Sequence, residues 1–283
     1  MFNRQKALLE VVRLAGGTID RIVLTKWAFL VRHETASRGG DSFYDFVPYQ
    51  YGPFSFALYQ EADKLVALGY LRQQGSSGWA LGNVPAPSVD QDVRQDLALI
   101  TSRFCESPVD DLLDYVYEKY PHFTTNSKRK QLAKRLVAPL AVYTAGYEGK
   151  SIDAFLNGLT ETGIAHLIDV RMNPIARRYG FHRSTLERLS GHLGIRYSHV
   201  PSLGIASKLR QQVDTIDDYQ VLFSQYESTT LKTQHAAVKA VSGWIGEAPS
   251  VLMCMEAQPS CCHRSRLAKL VSRTTGFPII HLG

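Results

Sequence analysis

The residues best able to do chemistry crowd into the second half of the chain. Three short apolar runs there end in polar groups: Gly146-Tyr147-Glu148-Gly149, Asp169-Val170-Arg171-Met172-Asn173-Pro174, and Cys254-Met255-Glu256 with Cys261-Cys262-His263-Arg264 close behind. Asp169 and Arg171 flank Val170, so on a strand both side chains point to one face. Such a pair is either a structural ion pair or, at a strand end, a device for orienting substrate and moving protons. Tyr147, Glu148 and Glu256 add a phenol and two carboxylates; two carboxylates with an arginine would suit hydrolysis at a glycosidic carbon, or a salt-bridge network. Cys262, His263 and Arg264 open a basic helical stretch. Free N–H groups and the helix dipole favour an anion there and lower a thiol's pKa. Cys262 is thus a candidate thiolate, against the plainer reading of a small residue packed in a first turn. Arg264 is a candidate phosphate ligand.

Spacing argues against two alternatives. With five residues intervening, Cys261 and Cys262 are followed by Leu267 and Ala268, so a tyrosine-phosphatase-type loop is absent. Cys254, Cys261, Cys262 and His263 all carry zinc donors and keep such a site open, but adjacent Cys-Cys-His lacks the paired C-x-x-C spacing of structural zinc sites, so the expectation is no metal and no cofactor. A second basic patch, Arg177, Arg178 and Arg183 interleaved with Tyr179 and Phe181, could grip phosphates and stack on bases, or be a solvated loop. Lys208 is expected to close over the same edge.

These groups need elements to bring them together. Short apolar strands are expected at 140–147, 165–170, 195–200, 250–255 and 278–282, alternating with helices at 151–162, 216–228, 233–245 and 263–275. Ser184-Thr185-Leu186-Glu187 reads as a capping box opening one more helix. Alternating strands and helices imply an α/β domain with a parallel, doubly wound sheet, whose ligands sit beyond the carboxyl ends of the strands. All three polar ends then share one edge. The first half reads as mainly helical, with helices at 4–15, from Asp20, at 54–68 and on to Lys128–Arg135; a hairpin around Gly75-Ser76-Ser77-Gly78 makes it winged-helix-like. The boundary falls near Pro139, giving domains 1–139 and 140–283.

At 283 residues the chain suits two domains, and 45% hydrophobic with 20% charged residues is ordinary for a globular protein. No apolar run approaches the roughly 18 residues a membrane span needs, and no signal sequence opens the chain, so no membrane partner and a cytoplasmic location are expected. In that reducing compartment, Cys254, Cys261 and Cys262 are not a disulfide framework. A net charge of +6 biases the chain modestly toward polyanions.

The four motifs around Tyr143–Gly149, Asp169–Pro174, Arg196–Gly204 and Cys254–Glu256 with Cys262–Arg264 resemble the bacterial family catalogued as domain of unknown function 488. The resemblance spans about the whole second half and implies a small Rossmann-like α/β fold with a site at these motifs. Met172 stands where that family often has serine, and Cys261 is an extra cysteine. The first half is more weakly similar to the Panacea domain of phage-associated and antitoxin proteins, through Leu24–Leu30, Tyr49–Phe54 and Leu65–Leu71. That likeness implies a helical domain found in mobile-element and defence settings.

The leading expectation is an enzyme, a hydrolase of DNA or a nucleotide, processing a base, sugar or phosphate in phage defence or DNA repair. Asp169, Arg171 and Glu256 would orient and move protons, with Cys262-His263-Arg264 holding an anion. A thiol- or metal-responsive regulator and a non-catalytic reader of modified nucleic acid stay open as alternatives. So does a homodimer or protein partner through the first domain.

Overall fold

Gly16 and Gly17 can take φ of +83° and +89° at little cost, and there the first helix, α1 (Asn3–Leu14), ends. The computed structural model describes residues 1–75, 77–210 and 215–283. It divides into two units, Met1–Arg135 and Leu136–Gly283.

In the first unit β1 (Thr18–Asp20) follows α1, a strand absent from the sequence reading. Asp20 then caps α2 (Arg21–Glu34), its carboxylate accepting from the Ile22 N–H at 2.7 Å. The aromatic segment folds as β2 (Val47–Tyr49) antiparallel to β3 (Gly52–Phe54). Ser55 caps α3 (Phe56–Ala67). The expected hairpin is β4 (Leu71–Gln74) with β5 (Gly78–Leu81), and β1 joins β5 to make a three-stranded antiparallel sheet; Ser76 of its turn lies outside the described residues. Helices α4 (Gln91–Phe104) and α5 (Val109–Lys119) follow. The core gathers Leu8, Phe29, Trp79 and Leu97.

The expected helix at Lys128–Arg135 does not form. Its N–H groups find acceptors elsewhere: Lys128 donates to the Gln50 carbonyl and Leu132 to the Thr124 hydroxyl, each at 2.8 Å. Arg129 is drawn to Asp110 and Asp114 instead of continuing a helical row of like charges.

The second unit holds β6 (Val142–Gly146), α6 (Ile152–Thr162), β7 (His166–Asp169), α7 (Arg183–His192), β8 (Arg196–His199), α8 (Ile216–Tyr226), α9 (His235–Glu247), β9 (Ser250–Cys254), α10 (Arg264–Thr275) and β10 (Ile279–Leu282). Its five strands are all parallel, in the order β10-β6-β9-β7-β8. Helices α8, α9 and α10 pack on one face, where Phe223, Val241 and Leu267 meet Val142, Ile168 and Leu252. Right-handed crossovers then require α6 and α7 on the other face, because β6→β7→β8 runs across the sheet opposite to β8→β9→β10. Chains leaving β6 and β9 therefore diverge, and the switch point of the strand order lies between these neighbours. The segment leading to β6 belongs to this unit: Ala138 donates to the Gly163 carbonyl at 3.1 Å.

Helix α7 begins one residue before the expected cap. His182 is its N-cap, and Ser184 sits in the first turn with its hydroxyl 3.2 Å from His182 Nδ1. Among the described residues no helix is long and apolar enough to cross a membrane.

Gly146 ends β6 where no side chain fits. A Cβ there would stand 2.0 Å from the Glu256 carbonyl oxygen. Gly146→Ala is expected to lower stability by about 2 kcal/mol or more in urea unfolding, since the Glu256–Ala257 backbone must move. Gly158→Ala in α6, where an added methyl meets nothing within 4 Å, is expected to hold or raise stability by about 0.5–1 kcal/mol.

Candidate functional site

Parallel strands place the ends of β6, β7, β8 and β9 along one edge, and the register levels them: Gly146 pairs with Cys254, and Asp169 with Met253 and His199. The loops are knitted together there. Tyr147 and Glu148 both donate backbone N–H groups to the Met255 carbonyl, at 3.1 and 2.9 Å. The exposed Glu148 returns a carboxylate oxygen to the Ala257 N–H at 3.0 Å. Arg264 holds the same loop through the Glu256 and Ala257 carbonyls.

Below this lies a buried network centred on Arg171. Asp169 grips its guanidinium in a two-pronged pair, Nη2–Oδ2 2.5 Å and Nε–Oδ1 2.8 Å. The remaining donor, Nη1, reaches the Tyr147 hydroxyl at 3.1 Å and the Phe181 carbonyl at 3.0 Å. Tyr197 donates to Asp169 at 2.8 Å, and His199 Nε2 to the Arg171 carbonyl at 2.7 Å. Asp169 is fully buried and Arg171 nearly so. The ion pair raises Arg171 further above its usual range against the cost of burial. Burial pushes the Tyr147 hydroxyl up, opposed by Arg171, and pushes Tyr197 up with Asp169 adding to the effect. This pair therefore acts as a floor: its polar atoms are engaged by each other and by Tyr147, Phe181 and Tyr197.

Beside it stands a sulfur cluster. Cys254 ends β9, and Cys262 and His263 lead into α10; all three are buried. Cys254 Sγ is 3.8 Å from His263 Nδ1, and the Cys262 thiol donates to Glu256 Oε2 at 3.0 Å. His263 Nε2 donates to the Val170 carbonyl at 3.2 Å. The shift at Cys262 runs opposite to the one its place before α10 suggests. Burial, then Cys254 and Glu256, push Cys262 up, so it stays protonated. The Cys262 thiol's hydrogen bond and then His263 hold Cys254 well below the usual thiol range, against burial. Among the described residues, the sulfurs of Cys254 and Cys262 and one nitrogen of His263 lie within 4.8 Å of one another, the one trio there with metal-ligand spacing.

Above the floor the groups face outward. Arg177, Arg178 and Arg183 are exposed in the loop that leads into α7, and Glu256 and Tyr197 are half-buried. Lys208 is exposed as well. Met172 lines a cavity of about 100 Å³ with Ile205, Leu222 and Tyr226, and the Tyr226 ring packs edge-on against His263. The structure thus brings Tyr147, Glu148, Asp169, Arg171, Glu256, Cys262, His263 and Arg264 to one edge; the buried members hold position and the half-buried carboxylate reaches the surface.

Sequence reasoning placed Tyr197 and His199 in the Arg196–Gly204 motif but gave them no role; their contacts come from the register of β8 on β7. It passed over Lys26. That lysine is buried in the first unit, donates to the Pro53 carbonyl at 2.7 Å, and lines a cavity of about 330 Å³ with Arg21, Thr25, Tyr49 and Tyr59. Burial lowers its pKa to about 7.

Residues 151–271 match the family described as "Domain of unknown function DUF488". The match takes in β7, β8 and β9 and so covers Asp169, Arg171, Glu256 and Cys262–Arg264, while Tyr147 and Glu148 precede it. No curated protein and no solved structure matches the chain.

Two outcomes follow. Asp169→Asn leaves Arg171 buried without its anion and is expected to cost about 3–5 kcal/mol in chemical unfolding, whereas Tyr197→Phe removes one hydrogen bond and costs about 1–2 kcal/mol. Lys26 is charged when unfolded up to about pH 10.5 but neutral in the fold above about 7, so the unfolded chain holds the extra proton between those values. The wild type should therefore gain stability relative to Lys26→Met as pH rises from 7 toward 10, by on the order of 1.4 kcal/mol per unit. A flat difference across that range would count against the buried, neutral lysine.

Proposed function

We propose that this protein is a cytoplasmic, nucleic-acid- or nucleotide-directed enzyme that binds its phosphate-bearing ligand at the carboxyl edge of the parallel sheet. The observation that carries this reading is the segment leading into α7. Arg177, Arg178 and Arg183 are all exposed there, and none has an ion-pair partner among the described residues. Arg177 and Arg178 precede α7 in the chain and Arg183 opens it, and the helix has no acidic residue in its first turn and no side-chain cap. Three cations and the positive end of a helix dipole repel one another until an anion arrives. Phosphate oxygens answer that field, and Tyr179 in the same loop offers a ring for stacking.

Glu256 is the acid–base group of this reading. It is half-buried, next to the sulfur cluster, on a loop fixed by Arg264 and Glu148. The chemistry would be hydrolysis at a base, sugar or phosphate, with Asp169 and Arg171 positioning the rim from below. In the same reading the second unit is Rossmann-like, and the first, with its helices and hairpin, is a winged-helix-like module of the Panacea kind that recruits DNA or a partner protein in a defence or repair setting.

Fluorescence anisotropy against short DNA, RNA and nucleotides, over a range of salt, tests the binding. The wild type should bind with affinity falling linearly in log salt, and Arg177→Ala, Arg178→Ala and Arg183→Ala should each flatten that slope by about one. Salt-independent or undetectable binding would sink the proposal. With a cleaved substrate in hand, Glu256→Gln should lower turnover by about 10²–10⁴ while leaving affinity in place. Equal behaviour of both proteins would favour a non-catalytic reader.

A further inference from the structure

The sulfur cluster is more elaborate than packing needs. A small buried hydrophobe would fill the space of Cys254 or Cys262. Instead two sulfurs and an imidazole nitrogen converge from separate segments, β9 and the start of α10, all nine-tenths or more buried. The histidine is also aimed. Its Nε2 donates to the Val170 carbonyl at 3.2 Å, and a carbonyl can only accept, so Nε2 carries the hydrogen. Nδ1 is then the ring nitrogen that faces Cys254 Sγ, 3.8 Å away, and the one an ion would take. Fixing the outer nitrogen on a backbone carbonyl is how proteins orient a metal-bound histidine.

Distances suit a tetrahedral ion. Ligands at about 2.3 Å for sulfur and about 2.0–2.1 Å for nitrogen stand roughly 3.5–3.8 Å apart. The Cys254–His263 separation is already 3.8 Å, and no pair in the trio exceeds 4.8 Å. Charge balance agrees: two thiolates neutralise a divalent cation, and Arg264, buried in the next position, keeps a positive charge beside them. Soft sulfur with one imidazole selects zinc over magnesium or calcium.

We infer that Cys254, Cys262 and His263 form a zinc site of three protein ligands. Glu256 lies outside that trio but accepts from the Cys262 thiol at 3.0 Å, so it is a carboxylate beside the ion's remaining coordination position. Three protein ligands with one open position are the pattern of zinc that activates water. A water there would lose its proton to the Glu256 carboxylate and leave hydroxide on the ion. This use of the ion rests on the rim being a reaction site; the binding of zinc does not.

The full chain, purified from zinc-supplemented cells, should carry about one zinc by elemental analysis. Titrating the stripped protein with Co²⁺ should give the intense visible bands of a tetrahedral ion and the near-ultraviolet band of thiolate bound to cobalt. Cys105→Ser and Cys261→Ser should keep both signals, and Glu256→Gln should keep the metal. Cys262→Ser and His263→Ala should lose it, with far-ultraviolet circular dichroism reporting whether they fold. Absence of stoichiometric zinc together with an octahedral or featureless cobalt spectrum in the wild type would overturn the site. So would full zinc content in folded Cys262→Ser or His263→Ala. Loss of DNA binding with zinc retained would sink the rim reading and leave the ion in place.

Discussion

The guanidinium of Arg171 is the constraint on which the carboxyl edge depends. Taking such a cation out of water costs several kcal/mol, and only near-complete satisfaction offsets it. Asp169 supplies two acceptors, and Tyr147 and Phe181 take the remaining Nη1. Each acceptor comes from a different part of the chain: β7 itself, the end of β6, and the loop before α7. An unmet donor in so dry a place would be expensive, so these segments are held in one arrangement. The stacked rings of Tyr147 and Phe181, 4.1 Å apart, close the arrangement from the side. The gain is fixed geometry more than stability, because apolar residues could fill the same volume.

The exposed groups owe their positions to this buried layer. Phe181 is pinned by Arg171, so the loop carrying Arg177 and Arg178 leaves the sheet at a set point. Glu256 is placed by a different device, a backbone clasp in which Gly146 allows two loops to approach and Arg264 gathers two carbonyls. Rigid support beneath and polar groups above is the arrangement that binding and acid–base chemistry require.

Much of this was legible in the sequence. The parallel sheet follows from alternating apolar strands and helices, and the shared edge follows from the polar residues that end Val142–Gly146, His166–Asp169 and Ser250–Cys254. What escaped was tertiary. Lys128–Arg135 carries helical spacing, yet acceptors on Gln50 and Thr124 took its N–H groups. Cys262 has the local setting of a thiolate, but burial and its neighbours in three dimensions push its thiol up, while its hydrogen bond holds Cys254 down. Spacing along the chain argued against a metal among Cys254, Cys261, Cys262 and His263, because it does not show that Cys254, Cys262 and His263 converge from separate segments while Cys261 stands outside the trio. Tyr197 and His199 stood in a recognised motif, but their partners Asp169 and Arg171 follow only once β8 is set in register on β7.

The strap at Leu136–Ala138 bears on how the second unit can be handled as a separate piece. Gly163 lies so close to it that a Cβ would stand 2.6 Å from the Ala138 nitrogen, and its carbonyl receives the Ala138 N–H. A chain cut at residue 140, where composition changes, would strip this cover from the carboxyl end of α6 and leave that carbonyl to water. A cut after Arg135 keeps the cover and the sheet's first strand in their native setting, so the natural seam of the molecule runs a few residues earlier than its prolines suggest.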